Sequence, residues 1–167
     1  MKQFETKERV LNGNMFYIRP FPAFVSANIS GELFSALMPV LGSLGPMAAK
    51  VTAGGNADLL NMDAEAAAPI LANGLSSLTG DKLETLLKKL LVKHKNISVE
   101  MEGQNEAKPL TEDLANEIFC GDAQDMFILA FDVIKANYSG FFARLGSQFG
   151  KQIAAFKAMI QKEQQEG

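Results

Sequence analysis

The chain has 167 residues, of which 47% are hydrophobic and 21% are charged, and its net charge is -3 at pH 7. These are ordinary values for a globular protein, and a domain of this size buries roughly 70% of the surface that its unfolded chain exposes. They exclude disorder of the whole chain, and we predict a single domain over residues 1–167.

We expect neither a targeting signal nor a membrane span. Lys2 and Glu5 place charge where a signal peptide needs an apolar stretch, and no run of about 18 apolar residues could cross a bilayer. A cytoplasmic location follows. Nucleic acid is excluded as a partner, because a binder needs a positive face to neutralise phosphates. The basic residues between Lys88 and Lys95 are interpreted as a solvated helix end.

The N-terminal segment, residues 1–30, is predicted to open as a β-hairpin. Two stretches rich in aromatic and branched residues, Phe4–Leu11 and Met15–Arg19, flank Asn12 and Gly13. An Asn-Gly pair tolerates the positive φ that tight hairpin turns require. Two prolines follow, and since they lack backbone donors the second strand should end there or lie on an edge.

Residues 31–95 are predicted to form a helical layer. Its first helix should start at Ser30 as N-cap, and Pro39 should kink or end it. Residues 42–56 are rich in glycine and should form a mobile loop. The apolar positions of this helix recur at helical spacing: Leu33, Leu37, Leu41 and Leu44.

Two further helices complete this layer. Asp63 can cap the second helix, which Pro69 should disturb. Asp81 can cap the third helix, which carries a single apolar stripe. Five leucines make that stripe: Leu83, Leu86, Leu87, Leu90 and Leu91.

Residues 96–102 alternate between polar and apolar, which predicts a short strand. This strand can pair with the hairpin in a three-stranded sheet, because an isolated hairpin is only marginally stable. Residues 103–109 should form a polar turn. The predicted fold class is therefore α+β and predominantly helical, with a small antiparallel sheet packed by helices.

The C-terminal helices are predicted over residues 111–163, and residues 161–167 should form a flexible tail. Thr111 can cap a helix that ends at Cys120, and Asp122 can cap the longest helix of the chain. An aromatic-rich stripe runs along that helix and the amphipathic stretch after it: Phe127, Phe131, Ile134, Tyr138, Phe141, Leu145, Phe149, Ile153, Phe156 and Ile160.

The long helix also carries apolar residues beyond this stripe, on a second face: Met126, Ile128, Leu129, Ala130, Val133 and Phe142. A helix that is apolar nearly all round is either buried centrally or covered by a partner. The phenylalanines cluster in residues 4–34 and 119–156. We therefore expect the hairpin and the C-terminal helices to form the main core, with the Leu- and Ala-rich middle as a second layer.

We find no motif for catalysis, metal or cofactor binding. The chain lacks the phosphate-cradling, dinucleotide and nucleophile-elbow motifs, and one cysteine and one histidine are too few for a zinc site. Cys120 and His94 could in principle form a thiolate and its base, which keeps a small cytosolic enzyme as an alternative. The other interpretation is a buried, structural cysteine.

The C-terminal half also contains a short motif in which an apolar helix leads into Asn-aromatic-x-x-Phe-Phe, formed by Asn137, Tyr138, Phe141 and Phe142. At the other end, Arg19–Ala23 joins the hairpin to a leucine-patterned helix. Together these features resemble the tail assembly chaperones of long-tailed bacteriophages and prophages. The resemblance covers both ends of the chain and leaves residues 42–80 unmatched.

This resemblance implies a non-enzymatic assembly factor that acts in the host bacterial cytoplasm and is absent from the mature virion. Such proteins coat the tape-measure protein and help recruit tail-tube subunits. Self-association, and a structural role as a tail or head-tail connector component, stay open alternatives. The candidate contact surfaces are the second face of the long helix and the amphipathic stretch Phe149–Ile160, with Phe149, Ile153 and Phe156 as contact residues. The four motif residues serve either folding or partner binding: Asn137, Tyr138, Phe141 and Phe142.

Overall fold

The computed structural model describes residues 5–43, 63–76 and 78–138. Within these ranges the strands are β1 (Lys7–Leu11), β2 (Asn14–Ile18), β3 (Ile97–Glu100) and β4 (Ala107–Pro109). The helices are α1 (Ala23–Ser43), α2 (Ala64–Leu75), α3 (Gly80–Lys88), α4 (Glu112–Phe119) and α5 (residues 123–138). A π-helical turn, Lys89–Lys93, continues α3. The predicted α+β class is confirmed.

The strands form one antiparallel sheet in the order β1-β2-β3-β4. The predicted hairpin is confirmed, and its turn has positive φ at both Asn12 (49°) and Gly13 (77°), as a two-residue type I′ turn requires. The predicted third strand pairs with β2, placing Phe16 opposite Val99. The polar turn predicted over residues 103–109 was wrong for its last three residues, which form β4. These three are all exposed, so no apolar alternation could reveal the strand.

The inner face of the sheet packs against the helices in one continuous core. Phe16 on β2 is fully buried, and its ring stacks on that of Phe119, with centroids 5.9 Å apart. Leu129 on α5 and Leu33 on α1 belong to the same cluster. The predicted packing of hairpin and C-terminal helices is thus confirmed, but the middle of the chain is not a second layer. Its largest side chains, such as Leu90, are as fully buried as those of the sheet.

Helix α1 starts seven residues before the predicted N-cap, at Ala23. The backbone N–H of Ser26 already donates to the Pro22 carbonyl at 2.9 Å. Ser30 lies inside the helix, where its hydroxyl donates to the Ala27 carbonyl at 2.8 Å, so the predicted capping role was wrong. The helix also continues through Pro39 instead of ending there.

The ends of the shorter helices follow the predicted pattern in part. Asp63 directly precedes α2, and its carbonyl accepts bonds from the first turn. Thr111 caps α4, accepting a bond from the Leu114 N–H at 3.2 Å. The predicted cap of α3 was wrong, because Thr79 is the N-cap residue and Asp81 lies in the first turn. A negative charge in the first turn is stabilised by the helix dipole.

The described part of α5 is central to the fold. Leu129, Ala130 and Val133 are completely buried, which confirms central burial over coverage by a partner. The loop predicted over 42–56 was wrong for residues 42 and 43, which belong to α1. Residues 44–56, the predicted continuation of α5 beyond residue 138 and the tail at 161–167 lie outside the described residues. In the residues that are described, no helix is long and apolar enough to cross a membrane.

Candidate partner-binding surface

Two of the predicted contact residues tie the end of α5 to the start of α1. The Asn137 side-chain oxygen accepts a bond from the Phe21 N–H at 2.7 Å, and its amide donates to the Val133 carbonyl at 2.8 Å. The Tyr138 hydroxyl donates to the Ser26 carbonyl at 3.0 Å. Burial raises the pKa of this hydroxyl, which keeps it protonated as a donor. These contacts serve folding, and a role in partner binding stays a prediction.

The other predicted contact residues cannot be placed on this surface. Five of them lie outside the described residues: Phe141, Phe142, Phe149, Ile153 and Phe156. On the second face of α5, Ile128, Leu129 and Val133 are buried in the core. The prediction that these residues are available to a partner was therefore wrong, because the sheet and helices of the same chain already cover them.

An apolar groove lies between α3 and α4, with a volume of about 440 Å³. We call it the α3–α4 groove. Its floor consists of apolar side chains from α3, the π-helical turn, α4 and the start of α5: Leu83, Leu87, Leu91, Val92, Ala115 and Met126. Leu83, Leu87 and Leu91 recur every fourth residue, the spacing at which a helix presents one face. Such a floor suits the apolar stripe of another helix.

Charged side chains form the rim of this groove. Lys88 Nζ lies 2.7 Å from a Glu84 carboxylate oxygen and 2.6 Å from one of Glu112, so it bridges α3 and α4. The hydrogen bond from Lys88 lowers the pKa of Glu84, and the two carboxylates raise the pKa of Lys88. Glu84 and Lys88 therefore stay charged at neutral pH. One lysine between two carboxylates leaves the rim net negative.

A second groove, of about 630 Å³, lies between α1 and α3. Polar and charged side chains dominate its lining, including Asn28, Ser35, Asp81, Lys82 and Lys89. The surface that this groove exposes is nevertheless mainly apolar. The α3–α4 groove differs from it in having three leucines at four-residue spacing, Leu83, Leu87 and Leu91, with charged side chains at the rim.

Phe24 is the most exposed large apolar residue in the described part of the chain, at 93%. It stands in the first turn of α1, next to the core-facing stripe that starts at the half-buried Val25 and continues with the buried Ile29 and Leu33. No contact among the described residues shields the Phe24 ring from water. A partner would gain apolar area by covering it.

The Cys120 and His94 pair is not assembled into a nucleophilic site among the described residues. Cys120 is the exposed C-cap of α4, so the expectation of a buried cysteine was wrong. The ring of His94 packs edge-on against Phe21, with centroids 5.8 Å apart. Burial and the nearby lysines lower the pKa of His94. Within the described ranges, no group of three or more potential ligands could hold a metal ion.

Sequence patterns alone pointed to only part of this surface. The apolar stripe of α3, which includes Leu83 and Leu87, was predicted, but nothing in the sequence indicates that α4 leaves a groove beside it. Ala115 is unremarkable in sequence, whereas Met126 was predicted as part of the second apolar face of the long helix. Phe24 could have been found from the stripe itself, because Val25, Ile29 and Leu33 fix the buried face of α1 and leave position 24 off it.

Comparison with known proteins gives one finding. A family model described as phage tail assembly chaperone protein, TAC, matches residues 12–150. The matched span includes residues 42–80, which the resemblance described above left uncovered. No curated protein and no solved structure matches this chain significantly.

Proposed function

This chain belongs to the phage tail assembly chaperone family, and we propose that it binds the tape-measure protein during tail building and helps to recruit tail-tube subunits. The observation that carries the proposal is the family match over residues 12–150. Family membership makes phage tail proteins its general partners and suggests a role without catalysis. The tape-measure protein as the specific client is our proposal.

Apolar surface is the expected source of binding energy. The net charge of -3 offers little electrostatic steering, whereas Phe24 and the floor of the α3–α4 groove are apolar. Each Å² of apolar area removed from water contributes about 25 cal/mol. We further propose that Phe149, Ile153 and Phe156 contact the client, with Phe141 and Phe142 nearby. The protein would act in the host cytoplasm and be absent from the finished virion.

Co-expression tests this function. The chain should raise the soluble yield of the tape-measure protein encoded by the same phage. Replacing Phe149, Ile153 and Phe156 with serine should abolish that rescue while the circular dichroism spectrum stays unchanged. A matched control takes serine at three positions of the same segment outside the apolar stripe: Gln148, Gln152 and Ala155.

A pull-down at moderate and at high salt identifies the kind of contact. Apolar binding persists at high salt, whereas an exposed electrostatic contact is screened. Failure to capture the tape-measure protein at either salt concentration would refute the proposed client. Recovery of the chain in purified virions would instead support a structural role in the tail or the head-tail connector.

A further inference from the structure

The turn of the N-terminal hairpin is bonded to the start of α5. The side-chain amide of Asn12 donates to Asp122 Oδ2 at 3.3 Å and also to Asp125 Oδ2. Asp122 directly precedes α5, and Asp125 lies in its first turn. We call this pair of hydrogen bonds the turn–α5 contact. It joins residues that are 110 and 113 positions apart in the chain, so it fixes the hairpin to a distant helix.

The conformation of the turn does not explain why residue 12 is asparagine. A type I′ turn accepts Asn-Gly, Asp-Gly or Gly-Gly. Of these three pairs, only Asn-Gly supplies side-chain N–H donors for two carboxylates. Aspartate at position 12 would instead bring a third carboxylate beside Asp122 and Asp125, and like charges at this distance repel. The turn therefore tolerates either side chain, whereas the turn–α5 contact requires the amide.

The residue after Asn12 allows that amide to be lost. Gly13 has no side chain to hinder its backbone nitrogen, which can attack Cγ of Asn12. The nitrogen gives up its proton, the Cγ–Nδ2 bond breaks, and ammonia leaves with that proton, so that a five-membered succinimide remains. Water then opens the ring at either carbonyl and yields aspartate or isoaspartate. The net reaction consumes one water and releases one ammonia.

We propose that Asn12 is a site of spontaneous deamidation and that its conversion breaks the turn–α5 contact. The new carboxylate has no proton to donate, and it faces Asp122 and Asp125. Burial, and then Asp122, already raise the pKa of Asp125, so a further negative charge here is unfavourable. The aspartate product keeps the turn and loses only its bonds to α5. Isoaspartate also adds a carbon to the main chain. The reaction needs only water, so it does not depend on the identity of the client.

Two other asparagines are internal controls for the reaction. Asn73 also precedes a glycine, Gly74, but both lie in α2, where the helical backbone keeps the glycine nitrogen away from the asparagine Cγ. Asn14 lies in the same hairpin but precedes Met15, whose side chain hinders the attack. The full-length protein is incubated at mildly alkaline pH, and tandem mass spectrometry follows each asparagine over time. Asn12 should convert several-fold faster than either control, and equal or slower conversion would overturn the proposed site.

The variant Asn12→Asp reproduces the aspartate product and tests its effect. It should lower the Tm and make hydrogen exchange in the hairpin several-fold faster. The control Asn105→Asp adds the same charge on the exposed loop between β3 and β4, and it should change neither property. If Asn12→Asp behaves like the wild-type protein, deamidation does not break the turn–α5 contact and the proposal fails.

A triple variant separates the turn–α5 contact from the turn itself. Asp122→Asn and Asp125→Asn, added to Asn12→Asp, exchange donors and acceptors, because the two new amides can donate to the carboxylate at position 12. The Tm and the slow hydrogen exchange should return towards their wild-type values. If they do not, the turn and not the contact is damaged, which would overturn the proposed mechanism. These measurements use no tail protein, so their outcomes are separate from those of the proposed function.

Discussion

Arg9 Nε lies 3.0 Å from Asp132 Oδ2, between β1 and α5, yet neither atom makes a hydrogen bond within the described part of the chain. The other end of the Arg9 guanidinium donates to Glu65 at 2.8 Å. Burial raises the pKa of Asp132, and this effect outweighs the attraction of Arg9. An ion contact without hydrogen-bond geometry offsets little of the cost of burying a carboxylate.

Asp132→Asn should stabilise the protein at neutral pH. A carboxyl whose pKa is raised in the folded state contributes stability below its unfolded pKa, and this contribution is lost as pH rises through the folded pKa. Asparagine avoids that loss, so the free energy of unfolding at pH 7 should rise by on the order of 1 kcal/mol. Chemical denaturation at pH 7 and pH 3 measures the difference, which should approach zero at pH 3. A loss of stability at pH 7 would show that the Arg9 contact dominates.

Glu65→Gln should have the opposite effect from Asp132→Asn and lower the stability at neutral pH. A backbone hydrogen bond and then Arg9 lower the pKa of Glu65, so its stabilisation is present above the unfolded pKa and is lost as pH falls through the folded pKa. The Tm at pH 7 should fall slightly, because this side chain is 60% exposed, and the difference should vanish in acid. Thermal melts across this pH range check the sign, and an increase in Tm at pH 7 would contradict it.

Two phenylalanines on α5 should differ in their contribution to stability. Phe131 is 3% exposed in the core, whereas Phe127 is only partly buried against it. Phe131→Ala should cost roughly 3–5 kcal/mol, as for other buried aromatic residues, and Phe127→Ala should cost less. Equilibrium unfolding in urea measures both. Equal losses would mean that Phe127 contributes more packing than its exposure indicates.

Two glycines should respond to alanine in opposite directions. Gly31 lies in α1 with open space around it, so Gly31→Ala should stabilise by roughly 0.5–1 kcal/mol. Gly13 has a φ of +77°, so Gly13→Ala should destabilise by about 1 kcal/mol or more. The new Cβ of residue 13 would also lie 2.8 Å from a Glu102 carboxylate oxygen. If contact with the Glu102 side chain caused the loss of stability, the double variant Gly13→Ala with Glu102→Ala would recover it. We expect the double variant to remain as destabilised as Gly13→Ala alone.

Cys120→Ser should leave both stability and client binding unchanged within a few-fold. The side chain is exposed at the C-terminus of α4, and a hydroxyl can take its place in water. Thermal melts and the pull-down described above measure the two properties. Loss of binding with an unchanged circular dichroism spectrum would assign Cys120 a direct role.

Local signals in the sequence predicted much of this fold. The hairpin turn at Asn12 and Gly13 depends only on these residues and their neighbours in the chain. The same is true of the helix cap at Thr111. The leucine stripe of α3 also needs no information beyond its own spacing. Each of these predictions was confirmed because short-range chemistry decides the outcome.

The features that the sequence did not reveal depend on distant residues. Strand β4 is held by backbone bonds to β3 and carries no apolar pattern. Helix α1 starts at Ala23 and not at Ser30, because its buried face begins with Val25, which packs on the core. The α3–α4 groove exists only where two helices meet. No window of neighbouring residues contains that information.

The position of β3 in the sheet has a consequence for the nascent chain. Phe16 pairs with Val99, 83 residues later, and stacks on Phe119. During synthesis the hairpin is made first, but a two-stranded hairpin is marginally stable and its apolar face stays uncovered. Non-local pairing of this kind is slow and leaves the unfinished chain prone to aggregation. The native sheet can close only after β3 has been synthesised, and the Phe16 ring is covered only after Phe119 has followed. The apolar face of the first strands to be made therefore stays uncovered until most of the chain has been synthesised.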